Sequence, residues 1–262
     1  MKQSIGALIY RLRSNIRTKQ IQDKFNKSIA SHIPIIVYQM GKVASMSVYT
    51  SLKEQYPGTT LHRHELIPTE WQDATLLNHT NNLHKPLLII SMMRDPIARN
   101  ISAFFQNFEV ITGVKPADSK FSMKELETIY FTNPKMDHDP PYTWFDKNIK
   151  RHLGIDIFAQ PFPKEEGSAR FKNGSIEVLL MKAEIDNTKK EKLIKELTRL
   201  NSFELKSSNV GEDKEYAGMY SEFKKSVTIP KEYLDTFYNS PAIKYFYTDA
   251  EIESMRKKWK TI

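Results

Sequence analysis

The 262-residue sequence predicts an α/β fold, a three-layer domain with a central, mostly parallel sheet flanked by helices. Two observations predict it. Short apolar runs alternate with stretches of helical periodicity, and the runs are continuously apolar, as in strands buried on both faces. The first run is IPIIVYQ (33–39), followed by a helix over 45–55. Next come TTLHRH (59–64) with a helix over 69–82, and PLLIISMM (86–93) with a helix beginning after Asp95. This order suits right-handed βαβ units. Four prolines between 112 and 142 predict an excursion from the sheet, and a helix over 142–153 follows. GSIEVLLMKAE (174–184) is the next strand and NTKKEKLIKELTRL (187–200) an amphipathic helix. Thr248 with Glu251 gives the capping-box signature of a last helix. No repeat or linker divides the chain, so residues 33–262 read as one domain preceded by a helix over 1–32.

That N-terminal helix carries Ile5, Leu8, Ile9, Leu12 and Ile16 on one face with basic residues between them. The pattern suits packing on the domain with a solvated basic face, or peripheral contact with an anionic membrane surface; the first is preferred. Its apolar stretch from Ile5 to Tyr10 is too short for a signal-peptide core or a membrane span. A cytoplasmic protein is expected, resting in the peripheral case on the inner membrane surface. The chain has no cysteine, which removes disulfides, thiolate nucleophiles and cysteine-ligated zinc and fits a reducing compartment. A formal charge of +8 favours an anionic partner: a phosphate-bearing co-substrate, an acidic glycan, nucleic acid or a membrane. No nucleic-acid-binding motif is recognisable.

Ligands of parallel sheets bind at the carboxyl ends of the strands, where Lys42, His62, His64 and Arg94 fall. QMGKVASMS (39–47) joins a strand to a helix start, so freed backbone N–H groups, the helix dipole, Lys42 and two hydroxyls would cradle a phosphate or sulfate. It is not a Walker A loop. That pattern needs glycine at Ile36 and a metal-holding hydroxyl at Val43. In SMMRDPIARNISAFF (91–105) Arg94 ends a strand and can fork onto a terminal phosphate, which Arg99 or Ser102 can also reach. Taken alone, Arg94-Asp95 reads rather as a surface pair opening a helix.

Together these stretches resemble the two donor-binding motifs of sulfotransferases that use 3′-phosphoadenosine 5′-phosphosulfate (PAPS). The resemblance implies a P-loop-like sulfotransferase fold. It implies that Gly41, Lys42, Val43, Ala44, Ser45, Met46 and Ser47 hold the 5′-phosphosulfate, and Arg94 and Ser102 the 3′-phosphate. Ala44 and Met46 stand where related sequences often have Gly or Ser. Residues 144–158 and 209–225 are similar to the bacterial NKWYS group, linked by its description to capsular polysaccharide synthesis. The naming stretch is altered, with Glu215 and Ala217 replacing Trp and Ser around Lys214 and Tyr216. Gly211, Lys214 and Tyr216 read either as a flap over the nucleotide or as a solvated loop. The similarity runs over most of 33–260.

The implied activity is enzymatic: sulfuryl transfer from PAPS to a carbohydrate hydroxyl, with no metal expected. By analogy with phosphoryl transfer, the protein positions the groups, neutralises charge and supplies a base. Lys42 is the candidate to stabilise the leaving oxygen. His64 is the candidate base and His62 its assistant, since residues two apart on a strand share a face; Glu65 is the reserve. Glu184 reads as support for a loop, Trp144 and Phe145 as core packing, and Asp137, His138 and Asp139 as a solvated loop. Two other readings stay open, a non-catalytic anionic-glycan binder on the same scaffold and a kinase with a degenerate P-loop.

Overall fold

The computed structural model describes residues 2–206 and 215–261, without the side chains of 2–9, 11–15 and 81. Five strands, β1 (Ile35–Tyr38), β2 (Thr60–Arg63), β3 (Leu87–Met93), β4 (Ser168–Asn173) and β5 (Ile176–Lys182), form one sheet in the order β2-β1-β3-β5-β4. All pairings are parallel except β4 with β5. Every residue of β1 and β3 is buried. A strand buried on both faces needs cover on both, and helices supply it, giving the three-layer α/β arrangement that the apolar runs imply.

The strand order reverses between β1 and β3: the chain goes from β1 outward to β2, then returns to β3 on the other side. Such a switch point opens a crevice at the carboxyl ends of the two strands. Two helices start there, α2 (Ser45–Gln55) after β1 and α4 (Pro96–Gln106) after β3, with α3 (Trp71–Leu77) between β2 and β3. A π-helical turn, Asn78–Asn82, continues α3 and fills the range expected from the sequence. The helices Asn187–Thr198 and Asp249–Arg256 also form as expected, the second with its Thr248–Glu251 capping box.

Edge strand β4 has no counterpart among the sequence expectations. It is mostly polar and buries only Phe171, so it lacks the apolar run by which the central strands are recognised. A two-residue turn joins it to β5, and Gly174 supplies the positive φ of 54° that such a hairpin favours.

The N-terminal helix α1 spans Lys2–Ser31, and of the apolar residues singled out in its sequence only Ile16 has a described side chain. Phe25 and Ile29 are buried, and Phe25 meets Trp71 edge to face at 5.1 Å. Tyr10 and residues 16–21 are exposed, so among the described side chains only the C-terminal third packs on the domain. A small second sheet pairs Thr228–Ile229 with Lys260–Thr261 and brings the chain end back beside α4.

Candidate active site

The loop between β1 and α2 turns through two left-handed residues, Lys42 (φ 75°) and Ala44 (φ 62°). In the second, an alanine rather than a glycine holds the left-handed conformation, at a cost of about 1 kcal/mol. Ala44 caps α2 without a side-chain hydrogen bond, so no side chain caps the first N–H groups of the helix. Val43 is fully buried, so its side chain belongs to the core. Ala44 and Met46 are exposed, and Ser47 is half-buried with its hydroxyl on the Ala44 carbonyl.

Two arginines fix the loop from the β3–α4 side. Arg94 Nη1 donates to the Lys42 carbonyl at 2.9 Å, and Arg99 Nε donates to the Gly41 carbonyl at 3.1 Å. Arg99 is buried and engages main chain, whereas sequence reasoning has it reaching a ligand anion directly. Lys42 Nζ donates to Gln106 Oε1 at 3.1 Å, and the Tyr216 hydroxyl donates to the same oxygen at 3.2 Å. Gln106 thereby joins two residues singled out from sequence, while Gly211 and Lys214 lie outside the described residues.

The two histidines have opposite surroundings. His62 Nε2 lies 3.0 Å from Ser45 Oγ and 3.1 Å from Gln39 Nε2. An amide nitrogen can only donate, so Nε2 is an acceptor and His62 is neutral with its proton on Nδ1. Burial, then the charges of His64 and Arg63, push its pKa down to about 4. Gln39 Nε2 also donates to Ser45 Oγ at 2.7 Å, so the Ser45 hydroxyl is consumed by Gln39 and His62. Of Ser45, the main-chain N–H is what remains for an anion.

His64, just beyond β2, is exposed. Its Nδ1 lies 2.9 Å from the Gln39 carbonyl oxygen. A carbonyl can only accept, so Nδ1 carries the proton and Nε2 of the neutral ring is a bare acceptor. That edge borders the loop between β1 and α2: a β-carbon built on Gly41 would sit 3.8 Å from His64 Cε1 and 3.9 Å from Nε2. The His64 carbonyl accepts from Trp144 Nε1 at 2.9 Å, so the buried Trp144 is core packing, as expected, and also fixes the main chain of His64. The rings of His62 and His64 meet edge to face at 4.9 Å.

Beyond Arg94 a cavity of about 600 Å³ opens. Arg94, Lys224, Lys225 and Lys258 give it a basic lining, and Tyr220 and Trp259 contribute rings. Ala98 of α4 lines it, while Ser102 is half-buried one turn further and does not. Glu184 anchors the turn at Arg94, accepting from the Asp95 N–H at 2.8 Å and the Tyr247 hydroxyl at 3.0 Å. This is the loop-supporting role read from sequence. Asp95 caps α4 and accepts from the Tyr238 hydroxyl, which in turn accepts from Trp259 Nε1 at 3.2 Å.

His138 is not in a solvated loop. Its half-buried ring sits between the Tyr130 carbonyl at 3.1 Å and the Tyr233 hydroxyl at 2.8 Å, and burial lowers its pKa. Among the described residues no three His, Asp or Glu side chains converge to hold a metal ion.

Residues 119–248, just under half of the chain, match the model of the NKWYS family, described as "Putative capsular polysaccharide synthesis protein". The matched stretch contributes Glu184, Tyr220, Lys224 and Lys225 to the cavity wall; the anion loop and the Arg94 turn precede it. No curated protein and no solved structure matches the chain. No helix among the described residues is long and apolar enough to cross a membrane.

Proposed function

We propose that this chain transfers a sulfuryl group from PAPS to a carbohydrate hydroxyl. The observation that carries the reading is His64: its tautomer is set by Gln39 so that the bare Nε2 borders a loop built for an anion. The acceptor O–H gives its proton to His64 Nε2 while its oxygen bonds to sulfur. The bond from sulfur to the bridging phosphate oxygen breaks, and adenosine 3′,5′-bisphosphate leaves. The Lys42 ammonium, already directed across the loop mouth toward Gln106, neutralises charge on that leaving oxygen. His62 orients Ser45 and assists only by shaping the loop.

The basic cavity suits the adenosine bisphosphate portion of the donor. Arg94, Lys224, Lys225 and Lys258 offer cations to phosphates, and Tyr220 and Trp259 offer flat surfaces to a base. The polysaccharide-related description of the matching family supports a carbohydrate acceptor. The kinase reading is disfavoured by Val43, whose side chain is committed to the core where a Walker loop places its hydroxyl.

Calorimetric titration with adenosine 3′,5′-bisphosphate tests the donor. Micromolar, magnesium-independent binding that is lost in Arg94→Ala is expected. Absence of binding, or equal binding of ATP, overturns the reading.

The exposed Tyr10, Ile16 and Ile21 of α1 lie in a segment whose first 22 residues hold five Lys or Arg and no Asp or Glu. This suits peripheral docking on an anionic membrane. Co-sedimentation with anionic vesicles that survives Ile16→Glu unchanged would argue against it.

A further inference from the structure

Arg99 is 8% exposed, and no ion pair to an acidic side chain is present for it among the described residues. A guanidinium rarely enters a protein interior on such terms. Its hydrogen bonds run to neutral groups: Nε to the Gly41 carbonyl at 3.1 Å and Nη1 to Asn100 Oδ1 at 2.9 Å. Asn100 Nδ2 donates onward to the His138 carbonyl at 3.2 Å and the Tyr233 hydroxyl at 3.4 Å. Tyr233 also meets the Tyr130 hydroxyl at 2.9 Å. Burial lowers the Arg99 pKa to about 10, and the Asp137 carboxylate acts against that fall.

The direction of these bonds matters. In a planar trans peptide the C=O and the following N–H point opposite ways. Tying the Gly41 carbonyl to Arg99 and the Lys42 carbonyl to Arg94 turns the N–H of Lys42 away from Arg99 and that of Val43 away from Arg94. Two successive N–H groups so turned, beside the open start of α2, make a concave anion seat.

We propose that Arg99 is a positioning residue for the anion loop: it holds the Gly41 carbonyl and lends the loop a positive charge without touching the ligand. Arg99 has no ion-paired carboxylate among the described residues, so an arriving polyanion adds negative charge to that already felt from Asp137, and occupancy of the loop and the fixed place of Arg99 reinforce each other. The inference rests on the loop being an anion seat, as the proposed function holds, but not on the anion being PAPS.

Arg99→Met and Arg99→Lys, shown to be folded by circular dichroism, are titrated in the calorimeter with adenosine 3′,5′-bisphosphate and separately with inorganic pyrophosphate. In Arg99→Met the dissociation constant rises about 10- to 100-fold while the number of sites per folded chain stays at the wild-type value. Arg99→Lys, keeping charge but losing the fork, lies between. A purely architectural role would reduce the number of competent sites and leave the dissociation constant of the remainder unchanged, and that result overturns the proposal. Should Arg99→Met not fold, Arg99→Lys decides alone: an unchanged constant overturns the proposal and a weakened one supports it. Wild-type protein that binds pyrophosphate but not the bisphosphate would sink the PAPS reading while leaving Arg99 testable. Wild-type protein that binds neither sinks both.

Discussion

The Gln39 carbonyl oxygen lies 2.9 Å from His64 Nδ1, while the side-chain nitrogen of the same glutamine lies 3.1 Å from His62 Nε2. One residue thus sets two histidine tautomers in opposite senses. His64 keeps Nε2 open beside the anion loop, and His62 has its Nε2 closed off inside.

His64→Ala should lower kcat about 10²- to 10³-fold, the range for loss of a positioned general base. Binding of adenosine 3′,5′-bisphosphate should stay within about twofold, because the donor-side contacts do not involve this ring. His62→Ala should instead weaken bisphosphate binding, since it frees the Ser45 hydroxyl and loosens the start of α2. Steady-state kinetics paired with calorimetry on both variants separates the roles, and a reversed pattern would reassign the base.

Lys42→Ala should reduce kcat by about 10²-fold with little change in acceptor KM, because charge on the bridging oxygen develops only as its bond to sulfur breaks. Gln106→Leu removes the oxygen shared by Lys42 and Tyr216 and should reduce kcat by a smaller factor, about 3- to 10-fold. Equal effects of Lys42→Ala on kcat and acceptor KM would place this lysine in acceptor binding instead.

His62 makes stability depend on pH. Its folded pKa of about 4 lies below the ordinary value of 6.5. Between those values the unfolded chain binds the proton and the folded chain does not, so stability rises with pH across this window. Acidification from pH 6.5 to 4 should therefore remove stability. The loss is on the order of 1–2 kcal/mol once solvent screening at the open edge of the ring is allowed for. Urea unfolding of wild type and His62→Asn at both pH values measures it, and an equal acid loss in the two proteins would assign the effect elsewhere.

Lys225→Ala and Lys258→Ala should each weaken bisphosphate binding about 3- to 10-fold and flatten its salt dependence, as expected when a cation facing a phosphate is removed. Trp259→Ala should weaken it without altering the salt dependence, because a ring contributes stacking rather than charge. Affinity measured at two ionic strengths distinguishes them.

The central sheet was legible because its strands are buried on both faces, which forces continuous apolar runs such as 35–38 and 87–93. The β1–α2 loop and the Arg94 turn could be picked out because each lies within one short segment. Edge strand β4 was not, since a strand facing solvent need not be apolar. The link from Gln39 to both histidines depends on the register that sets Val37 beside His62, and no single segment encodes it. Lys224, Lys225, Lys258 and Trp259 come from two distant stretches of chain that meet only through late packing. The sequence pattern of α1 fits two environments, and among its described side chains only Phe25 and Ile29 are buried.

Two of those cavity residues are delivered by the least substantial piece of ordered backbone in the fold, the two-residue pairing of Thr228–Ile229 with Lys260–Thr261. So short a ladder has little stability of its own. Lys258 and Trp259 immediately precede it, and the Trp259 indole is moored to Tyr238. A ligand held by these side chains therefore also steadies residues 258–261, so occupancy and the docking of this stretch are thermodynamically linked. Deuterium uptake at the amides of residues 258–261 becomes a gauge of cavity loading that needs no turnover at all.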